Sequence, residues 1–221
     1  MKILALEMSS AQRSVAVVQG PAQGEPVCLS EVVETGGRAA KPFGMIEAAL
    51  REAKLEREQI ECLAVGLGPG SYTGIRASIA LAQGWQLARE VGLMGVSSAE
   101  CLAAQAQAEG IRGPILVVCD AQRGEFYLAA YELRGAGRRE TERLRLATLL
   151  EVQQRAQAAG AIVGPEVSHW FPSGHVVFPR AATLGGLALR HPELVPGEKL
   201  EPIYLRETKF VKAPPSRVLP I

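Results

Sequence analysis

The most chemically suggestive part of the sequence is the glycine-rich run GLGPGSYTGIR at residues 66–76. Gly68 and Gly70 permit a positive φ or a close approach of the backbone to another group, and Ser71 or Thr73 can cap a following helix. No Lys follows the glycines in the order of a phosphate-binding P-loop, and Ser71 stands where the dinucleotide-binding fingerprint needs its third glycine. The run therefore predicts either a plain strand-to-helix turn or an anion contact at a helix N-terminus.

Carboxylates are the second group that could do chemistry, and the sequence is unusually poor in one of them, Asp. The chain has a single Asp, Asp120, and no Asn. Asp120 opens the segment DAQRG between two apolar stretches, where its side chain can bond the backbone of Arg123 or Gly124 in a tight turn. The scarcity of Asp limits the carboxylate chemistry that this chain can perform.

Composition and charge place the chain among ordinary globular proteins. Its 221 residues are 48% hydrophobic and 21% charged, with a formal net charge of +1, so the overall balance does not indicate a nucleic-acid-binding or membrane-binding protein. The opening residues are too quickly polar for a signal peptide, and no apolar stretch reaches membrane-spanning length. Cys28, Cys62, Cys101 and Cys119 are widely spaced in apolar runs, which predicts reduced, packed thiols and a cytoplasmic protein.

Hydrophobic periodicity predicts the elements that must position these residues. In the first half, three strands are followed by alternating helices and strands, and Ser97 and Ser98 resemble a helix cap. The predicted strands are 2–7, 14–19, 27–34, 62–67 and 93–96, and the predicted helices are 43–54, 75–90 and 99–108.

The second half is less regular. Residues 134–143 are charged and contain glycine, which predicts a hairpin tip that is either a solvated turn or a nucleic-acid-contacting patch. The predicted strands are 115–119, 125–133, 161–164 and 176–178, and the predicted helices are 148–158 and 183–190. Three prolines mark 206–221 as a tail outside the core.

The order βββαβαβα is typical of the opening half of an actin-like ATPase or ribonuclease H-like α/β domain. We therefore expect a two-lobed actin-like fold with a reduced second lobe. The predicted division is lobe I at 1–98, lobe II at 99–205 and a tail at 206–221.

Several segments, in order along the chain, resemble the TsaB (YeaZ) family. They are ILALEMSS at residues 3–10, VGLGPGSYTGIR at 65–76, GVSSAECLA at 95–103, VVCDAQRGEFYLAAY at 117–131 and EPIYLRE at 201–207. The resemblance spans almost the whole chain. The length of the chain also fits the TsaB family, whereas the catalytic paralogue of the TsaD (Kae1, YgjD) type is longer. It implies a protein of tRNA threonylcarbamoyladenosine biosynthesis.

The resemblance also implies what the chain has lost relative to the catalytic paralogue. That paralogue carries a metal-binding HxxxH motif, and here Ser97 and Cys101 stand where the two histidines would be. The three histidines, His169, His175 and His191, lie far downstream in loop-like sequence. We therefore expect no metal site and no catalysis, although an independent metalloenzyme is one alternative.

Nucleotide binding is a weaker expectation. Actin-like ATPases place an Asp at the end of the first strand and another in the second lobe; the equivalents here are Glu7 and Asp120, and the latter lacks a glycine-rich phosphate turn. The candidate phosphate or nucleotide contacts are Glu7, Ser9, Ser10, Gly68, Gly70, Ser71, Thr73 and Asp120. We expect no cofactor on this chain alone, with ATP or ADP at a complex interface; an independent nucleotide-binding, kinase-related protein is the other alternative.

The partner surface is predicted on two helices. Helix 75–90 is apolar on nearly every face, so it is either buried wholly in its own lobe or covered by something more than that lobe. In TsaB-like proteins helices 43–54 and 75–90 pair with those of a partner, which implies an interface at Phe43, Ile46, Ala49, Leu50, Ile75, Ser78, Ile79, Ala82 and Trp85.

The resemblance implies a TsaD-like paralogue as direct partner through these two helices, and a TsaE-like ATPase joining through the complex. It also implies a homodimer through the same face when the chain is alone, and indirect contact with tRNA. No membrane association is expected.

Overall fold

The computed structural model describes residues 1–20, 24–36, 41–135, 137–190 and 192–205. Within these ranges the chain forms two mixed five-stranded sheets and five helices longer than one turn. The predicted tail at 206–221 lies outside the described residues. None of the helices in these ranges is long and apolar enough to cross a membrane.

The first sheet has the strand order β3-β2-β1-β4-β5. Its three leading strands are antiparallel neighbours, whereas β1, β4 and β5 run parallel and are connected through helices. The strands are β1 (Lys2–Glu7), β2 (Gln12–Gln19), β3 (Val27–Thr35), β4 (Cys62–Gly66) and β5 (Gly92–Val96), and the helices between them are α1 (Pro42–Ala53) and α2 (Tyr72–Arg89).

The second sheet has the order β10-β9-β6-β7-β8, with β6, β9 and β10 parallel and β6, β7 and β8 antiparallel. Its strands are β6 (Gly113–Asp120), β7 (Glu125–Arg134), β8 (Gly137–Thr148), β9 (Ala161–Gly164) and β10 (His175–Val176). The remaining helices are α3 (Ser98–Ala108), α4 (Leu149–Ala156) and α5 (Ala181–Arg190). Two sheets of this kind confirm the predicted actin-like α/β fold.

Alternate residues of the buried strands point to opposite faces, so each sheet has two cores. Helices α1 and α2 pack on one face of the first sheet, and α5 with part of α3 packs on the other. Helix α3 also packs against the second sheet, and α4 lies on that sheet's far face. Because α3 contributes to the cores of both lobes, it links them directly.

The predicted lobe boundaries need one correction. Helix α5 falls in the range assigned to lobe II, 99–205, yet Leu184 and Leu187 pack against the first sheet. Leu200 is likewise buried in the first-sheet core, and the N–H of Val195 donates to the carbonyl of Leu93. The chain therefore returns to the first lobe after β10, because its apolar helix face is needed to cover that sheet.

Local predictions were wrong in extent at three places. The charged segment 134–143 holds the predicted hairpin turn only at its start, where Arg134 of β7 pairs with Gly137 of β8. The rest of the segment runs along the edge strand β8, where charges are tolerated. Helix α2 begins at Tyr72 rather than at residue 75. Strand β10 covers His175–Val176 rather than 176–178.

The predicted serine cap of α3 was also wrong in detail. Ser97 stands at the N-cap position but makes no side-chain cap bond. The Ser98 hydroxyl instead donates to Glu7 Oε2 over 2.9 Å. Three cysteines are buried as predicted, but Cys28 is exposed because it lies on the edge strand β3.

Candidate functional site

A cleft of about 570 Å³ opens between the two lobes, which we call the interlobe cleft. Parallel strands β1 and β4 end on one side of it, and β6 and β9 end on the other. Ser9, Ser10, Arg13, Gly70 and Ser71 line it from the first lobe. Asp120, Gln122 and Glu166 line it from the second. Crevices at the carboxyl ends of parallel strands are where open α/β sheets usually bind ligands.

The glycine-rich run forms a tight turn packed against the end of β1. Gly68 has a φ of +91° and Gly70 a φ of +143°, and a Cβ on Gly70 would lie 2.0 Å from the carbonyl oxygen of Ser9. The N–H of Ser71 donates to that same carbonyl over 2.6 Å. Ser71 rather than Thr73 caps α2, its Oγ accepting the N–H of Gly74 at 3.3 Å. The predicted positive φ and close backbone approach are therefore confirmed.

Glu7 does not reach the cleft, because its carboxylate is turned into the core. Oε1 accepts the N–H of Ser9 at 2.8 Å, and Oε2 accepts the hydroxyl of Ser98. Burial raises the pKa of Glu7, and these hydrogen bonds oppose the increase without cancelling it. Gly66 lies so close that a Cβ there would be 2.2 Å from Oε2. Glu7 thus joins β1, the glycine-rich turn and α3.

Asp120 does face the cleft, but its oxygens are bonded within its own turn. Oδ1 accepts the backbone N–H of Gln122 at 2.7 Å, and Oδ2 accepts the side-chain amide of the same residue at 2.8 Å. The predicted backbone partner was Arg123 or Gly124; the carboxylate instead closes the shorter loop to Gln122. Burial raises the pKa of nearby Glu166, and the Asp120 carboxylate raises it further.

Five of the eight predicted nucleotide contacts line the cleft: Ser9, Ser10, Gly70, Ser71 and Asp120. Glu7, Gly68 and Thr73 are not among its lining residues. The sequence reasoning missed Arg13 and Glu166. Glu166 follows β9, the strand parallel to β6, so the pairing of those two strands was the signal that could have found it.

Ser97 and Cys101, which stand where the metal-binding histidines would be, lie at the start of α3. Cys101 is fully buried, and its thiol donates to the carbonyl of Arg180 over 3.4 Å. His169 and His175 are exposed on the second lobe, and His191 is outside the described residues. Across the described part of the chain, no group of three or more His, Cys, Asp or Glu side chains is placed to hold a metal ion.

A second candidate site lies on the outer surface of α1 and α2. A groove of about 370 Å³ separates the two helices, and we call it the helix-pair groove. Phe43 of α1 lines it with 70% of its surface exposed. Leu87 of α2 is not among the lining residues but is 89% exposed. Ala80, Leu81, Gly84, Trp85 and Ala88 complete its apolar lining.

Small residues on the outer face of α2 leave room above the helix. A Cβ on Gly84 would meet no atom within 4 Å, so the fold of this lobe does not require glycine there. The indole Nε1 of Trp85 is buried and has no hydrogen-bond partner among the described residues. Buried indole N–H groups usually find an acceptor, so this region is incompletely satisfied by the chain itself.

The predicted interface residues divide unevenly between the two sides of the helices. Phe43 and Trp85 border the groove, but seven of the nine are buried against the first sheet. Those seven, whose contact with a partner stays a prediction, are Ile46, Ala49, Leu50, Ile75, Ser78, Ile79 and Ala82. Ile46 alone of these also touches the floor of the groove. Alanines occur on every face of α2, so the periodicity could not separate the inner side from the outer.

Comparison with known proteins places the chain in a family. The family described as tRNA N6-adenosine threonylcarbamoyltransferase, TsaD, matches residues 41–186. The tRNA threonylcarbamoyladenosine biosynthesis protein TsaB of Escherichia coli (strain K12) is 30% identical over 190 residues, covering 78% of this chain and 82% of that protein.

Solved structures agree with these sequence matches over nearly the whole chain. YeaZ from Pseudomonas aeruginosa superposes with a TM-score of 0.76 at 25% identity, covering 92% of this chain and 99% of that one. A second structure from that organism, described as an uncharacterized protein with similarity to peptidase YeaZ, gives 0.76 at 26% identity over 93% of this chain and 99% of that one. The chain therefore belongs to the TsaB (YeaZ) family of tRNA threonylcarbamoyladenosine biosynthesis proteins.

Proposed function

We propose that this protein is a non-catalytic subunit of the bacterial complex that places N6-threonylcarbamoyladenosine at position 37 of tRNA. It binds and activates a TsaD-like transferase, which works with a TsaE-like ATPase. The observation that carries the proposal is the outer surface of α1 and α2, where the exposed Phe43 stands beside an apolar groove and Leu87 of α2 is exposed as well.

The composition of this face suits a helical partner. The exposed residues Ala80, Gly84 and Ala88 have small side chains, so another helix can approach α2 closely. Aromatic side chains at a groove edge are typical anchors of protein interfaces, and Phe43 and Trp85 hold such positions. A partner that covers the groove would stabilise one arrangement of its own active cleft by binding that arrangement more tightly.

The interlobe cleft supports the non-catalytic part of the proposal. Glu7 accepts hydrogen bonds inside the core, and both carboxylate oxygens of Asp120 accept hydrogen bonds from Gln122. A magnesium-nucleotide site needs carboxylates that are free to meet the ion or its water shell. We therefore propose that the isolated chain binds no nucleotide, and that ATP or ADP binds at the interface of the complex.

The proposed partners follow one order. The TsaD-like subunit binds directly through α1 and α2, the TsaE-like ATPase joins through that complex, and tRNA is contacted indirectly in the cytoplasm, where it is modified. When alone, the chain uses the same face to form a homodimer. Because one surface serves both associations, the homodimer and the heterodimer compete.

The experiment is co-purification of this chain with the TsaD-like protein of the same genome, followed by light scattering. We expect a 1:1 complex with the wild type and its loss with Leu87→Asp, because a carboxylate would be buried in an apolar contact. Leu150→Asp is the matched control, since Leu150 is also an exposed helical leucine but lies on α4 of the second lobe. Equal binding by both variants, or no wild-type complex, would refute the proposal.

An independent nucleotide-binding protein is the second candidate, favoured by the 570 Å³ interlobe cleft with Gly70 and Ser71 at its wall. Titration of the isolated chain with Mg-ATP by calorimetry separates the two. Micromolar affinity that is lost in Asp120→Asn would support the rival, whereas absence of heat with an intact partner complex would support the subunit.

A further inference from the structure

The segment EPIYLRE near the end of the chain has no role in either candidate site as described so far. Its described part, residues 201–205, lies across the glycine-rich turn. The N–H of Ile203 donates to the carbonyl of Leu67 over 2.9 Å, and the preceding Leu200 is buried in the first-sheet core. This segment is therefore fastened beside the beginning of α2.

Tyr204 completes a cluster with two residues of α2. Nη1 of Arg76 donates to the hydroxyl of Tyr72 at 3.1 Å and reaches the hydroxyl of Tyr204 at 3.5 Å. The guanidinium also lies over the ring of Tyr72, 5.2 Å from its centre, and the two tyrosine rings are 6.0 Å apart. Both rings are exposed, by 60% and 53%. We call these three residues the Tyr-Arg-Tyr cluster.

Among the residues that the structure describes, no acidic side chain balances the charge at the centre of this cluster. Across the ranges that the structure describes, Arg76 makes no ion pair, and its Nε and Nη2 groups have no hydrogen-bond partner. The first turn of α2 carries no acidic side chain, and the helix dipole there is itself positive. A guanidinium with free donors in a planar fork matches a carboxylate or a phosphate. Within the described ranges, the guanidinium is therefore held by two tyrosines and has no acidic partner.

We propose that Arg76, held between Tyr72 and Tyr204, is the anchor for a carboxylate side chain of the protein partner that covers the helix-pair groove. This inference rests on the proposed function and names the residue that sets how the partner lies on α2. Helical periodicity places Arg76 on the same outer face as Ala80 and Gly84, so a helix lying along that face meets it directly.

The surroundings favour a protein carboxylate over a nucleic-acid phosphate. Binding to a phosphate backbone draws on several Lys or Arg side chains together. On α2 the other cation, Arg89, is neutralised by Glu58 at 2.8 Å, which leaves Arg76 alone on that helix. The two cations that line the groove, Arg57 and Arg89, are paired with Glu47 and Glu58, and apart from Glu47 the rest of the lining is apolar. One acidic side chain on an otherwise apolar helix fits this pattern.

The test measures the affinity of the chain for the TsaD-like protein of the same genome at low and high salt. We expect Arg76→Gln to weaken binding by about tenfold at low salt and Arg76→Glu by about a hundredfold or more, since the reversed charge would face the partner's carboxylate. Arg76→Lys keeps the charge but loses the planar fork, so about a threefold to tenfold loss is expected. Tyr204→Phe removes one hydroxyl contact and should cost about threefold.

Arg139→Glu is the matched control, because Arg139 is exposed on β8 of the second lobe and the change in net charge is the same. Because Arg76 is exposed, Arg76→Glu should melt close to the wild-type temperature, and a melting curve checks that lost binding does not reflect unfolding. A partner variant with one Asp or Glu changed to Arg should restore binding to Arg76→Glu.

The outcomes separate this inference from the proposed function. If the wild type fails to bind the TsaD-like protein, the proposed function is refuted and this anchor with it. If the wild type binds and Arg76→Glu binds as tightly as Arg139→Glu, the anchor alone is refuted. The anchor is also refuted if Arg76→Glu leaves protein affinity unchanged but abolishes tRNA binding by the chain.

Discussion

The interlobe cleft and the outer face of α1 and α2 differ in whether their side chains find partners within the chain. Asp120 in the cleft and Glu7 in the core behind it are bonded to the chain's own backbone and hydroxyl groups. On the helix face, Leu87 is almost fully exposed and the Trp85 indole N–H has no acceptor within the described residues. The two carboxylates thus have hydrogen-bond partners within the chain, whereas the helix face leaves apolar side chains exposed and one indole N–H unpaired among the described residues.

We infer separate roles for the two regions from this difference. Sequence motifs alone would point to the cleft as the functional region rather than to the helix face. The glycine-rich run is the most recognisable motif, yet its glycines serve the approach of Ser9 and the turn into α2. The less recognisable outer stripe of α2 carries the exposed apolar surface. Contiguous exposed apolar surface marks interaction sites more reliably than a glycine-rich turn does.

The largest predicted effect on stability is at Gly70. A Gly70→Ala substitution must accommodate both a φ of +143° and a Cβ placed 2.0 Å from the carbonyl oxygen of Ser9. We expect a loss of about 3 kcal/mol or more in the free energy of unfolding, because backbone rather than a flexible side chain blocks the new atom. Urea denaturation measures it, and a loss below about 1 kcal/mol would mean that the turn is not fixed as described.

Glu7→Ala should have the next largest effect. The substitution leaves the N–H of Ser9 and the hydroxyl of Ser98 without their buried acceptor, for an expected loss of about 2–4 kcal/mol. Asp120→Ala is the control on the other side of the cleft, where a part-exposed turn bond should cost about 1 kcal/mol or less. Similar losses for the two variants would remove the distinction between a core carboxylate and a turn carboxylate.

A pH series sharpens the description of Glu7. Burial raises the pKa of Glu7 in the folded state above its ordinary value of 4.5. The stability that Glu7 contributes is therefore fully present below pH 4.5. It is lost as the pH rises through the raised pKa, since the buried carboxyl must then ionise. Relative to Glu7→Gln, which cannot ionise, the wild type should lose stability across this range in urea denaturation. A difference that stays constant with pH would contradict the burial of the carboxyl.

The smallest predicted effect is on the helix face. Gly84→Ala meets no neighbouring atom and removes a glycine from a helix interior, so the free chain should gain about 0.5–1 kcal/mol. The same methyl group would obstruct a closely packed partner helix, so affinity for the TsaD-like protein should fall by about tenfold. Gly186→Ala on α5, where added atoms also meet nothing, is the control that should stabilise without weakening binding. A gain in both stability and affinity for Gly84→Ala would argue against close helix packing.

Much of the fold could be predicted from the sequence, because the order of strands and helices follows directly from apolar periodicity. The positions of Gly68 and Gly70 were predictable for the same local reason, as only glycine accepts their conformation readily. The return of α5 to the first sheet was not predictable, since an apolar helix face does not name the sheet that it will cover.

The sequence predicted a partner surface on α1 and α2, but seven of the nine residues that it named are buried within the chain. On α2 the inner Ile75 and Ala82 and the outer Ala80 and Leu87 are all apolar, so hydrophobicity alone could not orient the helix. Glu166 and Arg76 were missed for a different reason. Their importance depends on contacts made by residues distant in sequence, Asp120 and Tyr204 respectively.

The most direct test of the account is the rate of threonylcarbamoyl transfer to tRNA by the reconstituted TsaD-like and TsaE-like proteins with added variants of this chain. The account predicts that Leu87→Asp abolishes the stimulation, whereas Asp120→Asn, which changes the cleft, stimulates as the wild type does. Full stimulation by Leu87→Asp together with none by Asp120→Asn would contradict it, and would move the function of this chain from the helix face to the cleft.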